Sequence, residues 1–295
     1  MIRKAVIPAA GLGTRLLPAT KSQPKEMLPV GRKPVIQYVV EELVAAGIKD
    51  ILIITGLKKR SIEDHFDEDP ILQNMPPQLC PTANNMNVQL FYIRQSTPLG
   101  LGHAVSLAKD FTGDEDFVVA LGDSIIHSAK PHELLTRMMK AHREKGAVAT
   151  IALEHVPEED VSKYGIASLE DKGEKISRLV DIVEKPPREQ SPSNYAVAAR
   201  YIFSPLIYDA LSRISVGHGG EYQLTDAIRL LIHDGLPVYG VMLNEGERRL
   251  DIGGFDTYFE AFFLLALTDE ELGERMVKWV KKWLQEHESR LKHAP

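Results

Sequence analysis

The chain holds a single cysteine, Cys80, in 295 residues, so it can close no internal disulfide and offers no thiolate cluster to a metal. That poverty suits a reducing compartment and predicts a cytoplasmic protein. No apolar run approaches the roughly 20 residues a bilayer-spanning helix needs. The opening MIRKAVIP passes straight into strand-like residues, which predicts no secretory leader and no membrane partner. Positive charge is not in excess either: 35 lysines and arginines face 41 aspartates and glutamates, a formal net charge of −6. Broad nucleic-acid binding needs a basic face, so no nucleic-acid partner is expected and the anionic ligands should be small. No hexapeptide repeat follows Ala266, which argues against a C-terminal β-helix.

What is present is a composition 44% hydrophobic, enough for one large core with a smaller lobe. Ala5, Val6 and Ile7 read as a short buried strand. Pro34 to Ala46 has helical spacing, with Pro34 suited to a first turn and Gly47 to a stop. Further strands are predicted near Val88–Ile93, Phe117–Leu121 and Ala147–Leu153 and over Ile51–Thr55, with helices near Gly102–Lys109 and His132–Glu144. This alternation predicts an α/β, Rossmann-like fold: a mostly parallel mixed sheet flanked by helices. Three later runs, Tyr164–Leu169, Arg178–Val183 and Tyr195–Phe203, predict a smaller β-rich portion. Asp67 to Asn87 is proline-rich and irregular, an excursion or flap. Between Glu270 and Leu291, Leu272, Met276, Val280, Trp283 and Leu284 recur at helical intervals, predicting a terminal helix that packs on its own domain, with a subunit interface as the lesser alternative.

The densest chemistry lies in VIPAAGLGTRLLPATKSQPKEMLP, Val6 to Pro29. The strand stops at small residues, through Gly11 and Gly13, that let main-chain N–H groups approach an anion, while Arg15, Lys21 and Lys25 supply charges able to follow a triphosphate. A dinucleotide fingerprint would need a small residue at Leu16, and a P-loop would need Gly-Lys-Ser/Thr after Gly11 or Gly13; neither is present. A strand-ending turn with solvated charges is the plainer alternative. Asp123 follows the apolar FVVAL and a glycine, so its carboxylate should emerge at the ligand-binding end of the sheet, where an oxygen ligand suits Mg²⁺; an ordinary turn aspartate is the alternative. Asp251, in RRLDIGGFDTYFEAF, precedes a helix, and capping that helix is the alternative to metal contact. Glu184 and Lys185 end the strand DIVEK before Pro186 and Pro187, which fixes their direction, although a surface ion pair would look the same.

The text GLGTRLLPATKSQPKEMLPVGRKPVIQYVVEEL resembles the opening of the bacterial UTP–glucose-1-phosphate uridylyltransferases (UDP-glucose pyrophosphorylases), within the sugar nucleotidyltransferases, and motifs in the same order extend the likeness to about Ala266. The resemblance implies a catalytic domain over 1–266, with a nucleotide-binding part of about 1–155 and a sugar-binding part of about 156–266, and a helical extension over 267–295. It implies Mg²⁺-dependent, in-line transfer of uridylyl from UTP to glucose 1-phosphate, and a homo-oligomer, dimer or tetramer. On the matching positions, Lys25 would serve the α-phosphate, Arg15 the leaving pyrophosphate, Lys185 the sugar phosphate and Asp123 the Mg²⁺, with Asp251 completing the metal site unless it caps its helix. Ala10, Gly11, Gly13 and Glu26 would form the nucleotide pocket. In QSTPLGLGHAV, Gln95 and Gly100 would meet the base, and His103 is structural. Gly165, in KYGIA, and Glu184 would face the hexose, bordered by GGEYQLTDAI, Gly219 to Ile228.

The proline-rich stretch is shorter and less helical than in those relatives, and the LGDS around Asp123 looks more like a thymidylyltransferase. One methyl in an apolar pocket is worth only about 1–3 kcal/mol, so use of dTTP beside UTP is an alternative, as is galactose 1-phosphate beside glucose 1-phosphate. A non-catalytic nucleotide-sugar sensor is the rival of another class; Arg15, Lys25, Asp123 and Lys185 occurring together argue against it. An NAD-binding oxidoreductase would share the alternating fold but lacks its fingerprint.

Overall fold

Branched apolar side chains pack both faces of the first strand, β1 (Lys4–Pro8), where Ala5, Val6 and Ile7 have no exposed surface. A strand covered on both faces belongs at the centre of a sheet with helices on either side, and β1 lies there. The computed structural model describes residues 2–292, apart from 73, 74, 77–79 and 131. After β1 come the mini-strands β2 (Pro29–Val30) and β3 (Lys33–Pro34), helix α1 (Val35–Ala45), β4 (Asp50–Thr55), α2 (Arg60–Phe66), β5 (Gln89–Arg94), α3 (Leu101–Ser106), α4 (Lys109–Thr112), β6 (Phe117–Ala120) and β7 (Ser124–His127). The second half runs α5 (Glu133–Glu144), β8 (Ala149–His155), β9 (Gly165–Leu169), β10 (Ile176–Glu184), β11 (Tyr195–Phe203), α6 (Leu206–Arg213), α7 (Leu224–His233), β12 (Val238–Met242), β13 (Arg248–Asp251), α8 (Phe255–Leu267) and α9 (Gly273–Lys292).

Nine strands form one sheet in the order β5-β4-β1-β6-β11-β8-β12-β10-β9. The expected α/β architecture, a mixed sheet flanked by helices, is present, although its parallel pairs are confined to one half and to β8–β12 and do not form the majority. Its parallel pairs are β5–β4, β4–β1, β1–β6 and β8–β12. Antiparallel pairing enters through β11, which runs against β6, β8 and β9, and through β10, which runs against β12 and β9. For β9 and β10 the cause is local: they follow one another through a turn too short for the helical crossover that parallel neighbours require. Two apolar layers sandwich the sheet. One holds Val119, Phe203, Leu211 and Leu231 under α3, α6 and α7, and the other holds Ile7, Ile53, Leu43 and Met138 under α1 and α5.

The described part of the stretch between Asp67 and Val88 forms turns and no strand or helix, as its prolines predict. The C-terminal segment meets the expectation only in part. Helix α9 packs against α8, but Trp279, Trp283 and Leu284 on it and Leu272 just ahead of it stand exposed. The sequence α8 carries, FDTYFEAFFLLAL, is apolar almost all round, yet only Ala261 is buried, and Phe259 and Phe263 stand exposed.

Candidate active site

Strands β1 and β6 point their carboxyl ends the same way, because both pair in parallel with the same register direction. The glycine loop leaves β1 and Asp123 leaves β6 side by side, Gly122 N–H donating to the Pro8 carbonyl. A cleft of about 490 Å³ opens there, lined by Ala10, Gly11, Gly13, Arg15, Lys25, Glu26, Gln95, Gly100, Asp123, Gly165, Glu184, Lys185 and Asp251. Lys21 is exposed and does not reach it.

The loop folds back so that Lys25 meets Asp123. Gly13 takes φ 66°, a backbone open to glycine at little cost, and its carbonyl accepts the Thr20 hydroxyl at 2.8 Å. The next turn, Pro24 to Leu28, then presents Lys25 Nζ to Asp123 Oδ2 in a short ion pair. Burial works against the Lys25 charge, but Asp123, Glu26 and Asp251 overcome it and hold the pKa above the ordinary lysine value. Behind it, Glu26 is 1% exposed and accepts from Lys59 Nζ at 2.6 Å. Burial pushes Glu26 up and Lys59 down, while each charge partly rescues the other.

Asp251 belongs to this constellation and not to a helix cap. It ends β13, paired antiparallel with β7 so that Asp251 faces Ser124. Its Oδ1 accepts the Ser124 hydroxyl at 3.3 Å, while the Ile252 N–H donates to the Asp123 carbonyl at 2.9 Å. The start of α8 is served by Thr257, whose hydroxyl accepts the Gly254 N–H at 3.3 Å. Burial and the neighbouring Asp123 raise the Asp251 pKa, with Arg249 and Lys25 opposing. Burial also resists the Asp123 charge, but Lys25 outweighs it and keeps that carboxyl below its usual range. Two carboxylates brought together this way carry a deficit of positive charge that a hard cation can fill.

On one flank, Gln95 follows β5, with its N–H on the Thr55 carbonyl. Its side-chain nitrogen donates to the Gly100 carbonyl at 3.1 Å and to His103 Nδ1 at 2.8 Å. Both amide hydrogens are thereby used, and the carbonyl Oε1 is the group left for a ligand. His103 is therefore structural in the sense expected, since it aims Gln95. Gly100, at φ 106°, lies so close to Tyr222 that a Cβ would come 2.7 Å from its carbonyl oxygen. Tyr222 in turn bonds Leu99 and Gly102 through its backbone, so the GGEYQLTDAI segment buttresses the Gln95–Gly100 loop as well as the other flank.

On that other flank Gly165 pairs with Glu184 across β9 and β10. Glu184 Oε2 accepts the Thr225 hydroxyl at 2.6 Å, and its Oε1 lies 3.2 Å from Lys185 Nζ. Lys185 takes φ 44°, left-handed for a side-chain-bearing residue, which costs on the order of 1 kcal/mol; its N–H on the Tyr164 carbonyl at 3.0 Å holds it there. The two prolines that follow fix the direction further, as their positions predicted.

Several cleft residues escaped the sequence reading. Arg249 also lines the cleft; its side chain is 7% exposed, it pairs with Glu154 and it stacks over Tyr164 at 4.3 Å. Its signal was legible: Arg249 and Asp251 are two apart on one strand and so share a face. Thr225 and Lys163 lie inside the GGEYQLTDAI and KYGIA segments without having been singled out there, and Tyr201 comes from a strand with no chemical pattern of its own.

A phosphate-sized glycine loop, a lysine–aspartate pair at the carboxyl ends of parallel strands and a second carboxylate beside it define a nucleotide-handling cleft. The family model for nucleotidyl transferases matches residues 4–266, and the chain belongs to that family. It is 43% identical over 297 residues to a UTP–glucose-1-phosphate uridylyltransferase of Bacillus subtilis strain 168, covering 97% of this chain and 99% of the relative. Among solved structures, a UDP-glucose pyrophosphorylase complexed with UDP-glucose superposes with TM-score 0.81 at 38% identity, covering 89% of this chain and 97% of that one. A UTP-bound UGPase from Acinetobacter baumannii gives 0.83 at 36% identity, covering 95% and 99%.

Proposed function

We propose that this protein transfers the uridylyl group of UTP to α-D-glucose 1-phosphate, giving UDP-glucose and pyrophosphate. The observation that carries the reading is the Lys25–Asp123 pair beside Asp251, with the Gln95 carbonyl on one flank and Glu184–Lys185 on the other side of one cleft. A phosphate oxygen of glucose 1-phosphate attacks the α-phosphorus in line; the bond from that phosphorus to the β-phosphate oxygen breaks, and pyrophosphate leaves with the electron pair. No proton needs to move, because the attacking oxygen is already an anion. The barrier is repulsion between anions, so catalysis rests on positioning and charge compensation.

Lys25 answers the α-phosphate, Arg15 at the cleft rim the pyrophosphate, and Lys185 the sugar phosphate. Glu184, fixed by Thr225, accepts from glucose hydroxyls, and Gly165 borders the ring, where a Cβ would crowd the Thr225 hydroxyl at 3.2 Å and Glu184 Oε2 at 3.3 Å. Ala10, Gly11 and Gly13 bring main chain to the nucleotide, and Glu26 tethers the Lys25 turn to Lys59. Asp123 and Asp251 suit Mg²⁺: both are hard oxygen donors, and no cluster of three or more His, Cys, Asp or Glu that would make a full protein cage exists among the described residues. Bound there with substrate phosphates, Mg²⁺ would neutralise charge on the nucleotide. With its amide hydrogens committed, Gln95 offers only an acceptor, which fits N3–H of uracil or thymine and opposes the acceptor N3 of cytosine. UTP and dTTP therefore compete while CTP is refused. Pyrophosphate release with each nucleotide, glucose 1-phosphate and Mg²⁺ tests the whole reading.

We further propose two linked parts of one catalytic region, about 1–155 for nucleotide and 156–266 for sugar, with 267–295 as an extension. The apolar face of α8 and α9, with Phe259, Phe263, Trp279 and Trp283 exposed, supports a homo-oligomer; light scattering giving one 32.9 kDa chain would reject it. No helix among the described residues is long and apolar enough to cross a membrane, and with the lone cysteine this supports a cytoplasmic protein, checked by fractionation.

A further inference from the structure

Among the described residues, the largest fully buried side chain is a charged one that does not line the cleft. Arg200, on β11, has no exposed surface, and its partner Glu42, on α1, has 2%. Arg200 Nε lies 3.1 Å from Glu42 Oε1 and Nη2 lies 2.6 Å from Oε2. Net stability is a poor reason for such a pair, because apolar replacements of buried ion pairs are often neutral or stabilising. The remaining Arg200 contacts point elsewhere: Nη1 donates to the Ala199 carbonyl and Nη2 to the Ser124 carbonyl, each at 3.0 Å.

Those two carbonyls bracket Asp123. The Ala199 carbonyl also accepts the Leu121 N–H at 3.2 Å, so the turn Leu121-Gly122-Asp123-Ser124 is tied to Arg200 at both ends. Ala199 sits where the register of β11 against β8 breaks, between Val197 and Tyr201, with φ 58°. A non-glycine residue is held in that left-handed conformation at a cost of about 1 kcal/mol, and the bulge turns its carbonyl towards both donors. Asp251 follows, because it faces Ser124 across the β7–β13 pair and takes the Ser124 hydroxyl. Glu42 closes the frame, since α1 begins where the Val35 N–H bonds the Leu28 carbonyl just after the Lys25 turn.

We infer that Arg200, clamped by Glu42, is a positioning residue that sets the Asp123–Asp251 carboxylate pair for its cation, resting on the metal role proposed above for that pair. Asp123 reaches the clamp only through backbone, so the effect is one of geometry and not of contact between charged side chains. Partners behind a ligand shell are commonly worth about 10–100-fold in metal affinity.

The test is Mn²⁺ binding to the whole protein without substrates, followed by electron paramagnetic resonance, in wild type, Arg200→Lys, the apolar double variant Glu42→Leu/Arg200→Met, and Asp123→Asn. Circular dichroism and the KM for glucose 1-phosphate are read on the same samples. The double variant should fold, bind Mn²⁺ about 10–100-fold more weakly and keep its KM for glucose 1-phosphate within about twofold; Arg200→Lys, which cannot span both carbonyls, should follow it. Wild-type Mn²⁺ affinity in the folded double variant overturns the inference, and so does Mn²⁺ loss that appears only together with loss of the folded signal. If Asp123→Asn binds Mn²⁺ as wild type does, the metal role of Asp123 is what fails, and the outcome is distinguishable from failure of the clamp.

Discussion

Replacing Lys25 with methionine keeps most of the unbranched side chain and removes the cation Asp123 faces. Unit charges about 4 Å apart near a protein surface attract by about 4 kcal/mol, most of it offset by desolvation; a charge-assisted hydrogen bond nets about 1.5–3 kcal/mol. A divalent cation arriving without nucleotide must displace the ammonium from Asp123, and in Lys25→Met it need not. Each tenfold in affinity is about 1.4 kcal/mol, so the variant should bind Mn²⁺ alone about tenfold more tightly than wild type. Its metal-free form should be less stable, since Asp123 and Asp251 then confront each other unpaired, and Mn²⁺ should restore more of its melting temperature than it does in wild type. Turnover should fall about 10²–10³-fold, the scale of one lost donor to developing charge. Paramagnetic resonance titration and pyrophosphate release at saturating substrates measure the two effects. Mn²⁺ binding no tighter than wild type together with turnover within tenfold would refute the assignment of Lys25 to both the metal-free pair and the transition state.

Gly100→Ala places a methyl 2.7 Å from the Tyr222 carbonyl oxygen at φ 106°; we expect a loss of about 2–4 kcal/mol in urea unfolding and a KM for UTP raised more than that for glucose 1-phosphate. Glu184→Gln should raise the KM for glucose 1-phosphate at least tenfold with the KM for UTP within threefold, measured by varying each substrate against the other; equal effects on both would sever Glu184 from the sugar. His142 is 3% exposed and its pKa is lowered by burial, with Asp116 opposing. The unfolded chain therefore takes up a proton below about pH 6.5 that the native state refuses, and stability present above that pH is lost as pH falls towards the native pKa, by up to about 1.4 kcal/mol per pH unit. His142→Gln should flatten that slope in urea midpoints between pH 7 and 5; an unchanged slope would place the acid sensitivity elsewhere.

How much of this was legible in the sequence depended on whether a residue's role was local. The strands β1, β4 and β6 and helices α1 and α5 follow from apolar periodicity, because both faces of their sheet or one face of the helix are buried close by in the chain. Lys25 and Asp123 could be named, but not that they pair across 98 residues of chain. Asp251 was ambiguous because a residue ahead of a helix looks like a cap; the short β7–β13 pairing that decides otherwise joins segments more than a hundred residues apart. The Arg200–Glu42 clamp left no trace, since a charged residue within an apolar strand announces burial only once its partner, 158 residues away, is placed beside it. The apolar residues left exposed on α9 have a related cause: the apolar spacing states that a face will be covered, not by what.

The most direct measurement is pyrophosphate release by the purified protein with glucose 1-phosphate and Mg²⁺, offering UTP, dTTP, CTP, ATP and GTP in parallel. The account predicts release with UTP, lesser or comparable release with dTTP, and none above background with CTP, whose N3 cannot donate to Gln95. Release with CTP equal to that with UTP would contradict the base assignment, and no release with any nucleotide would contradict the uridylyl transfer itself.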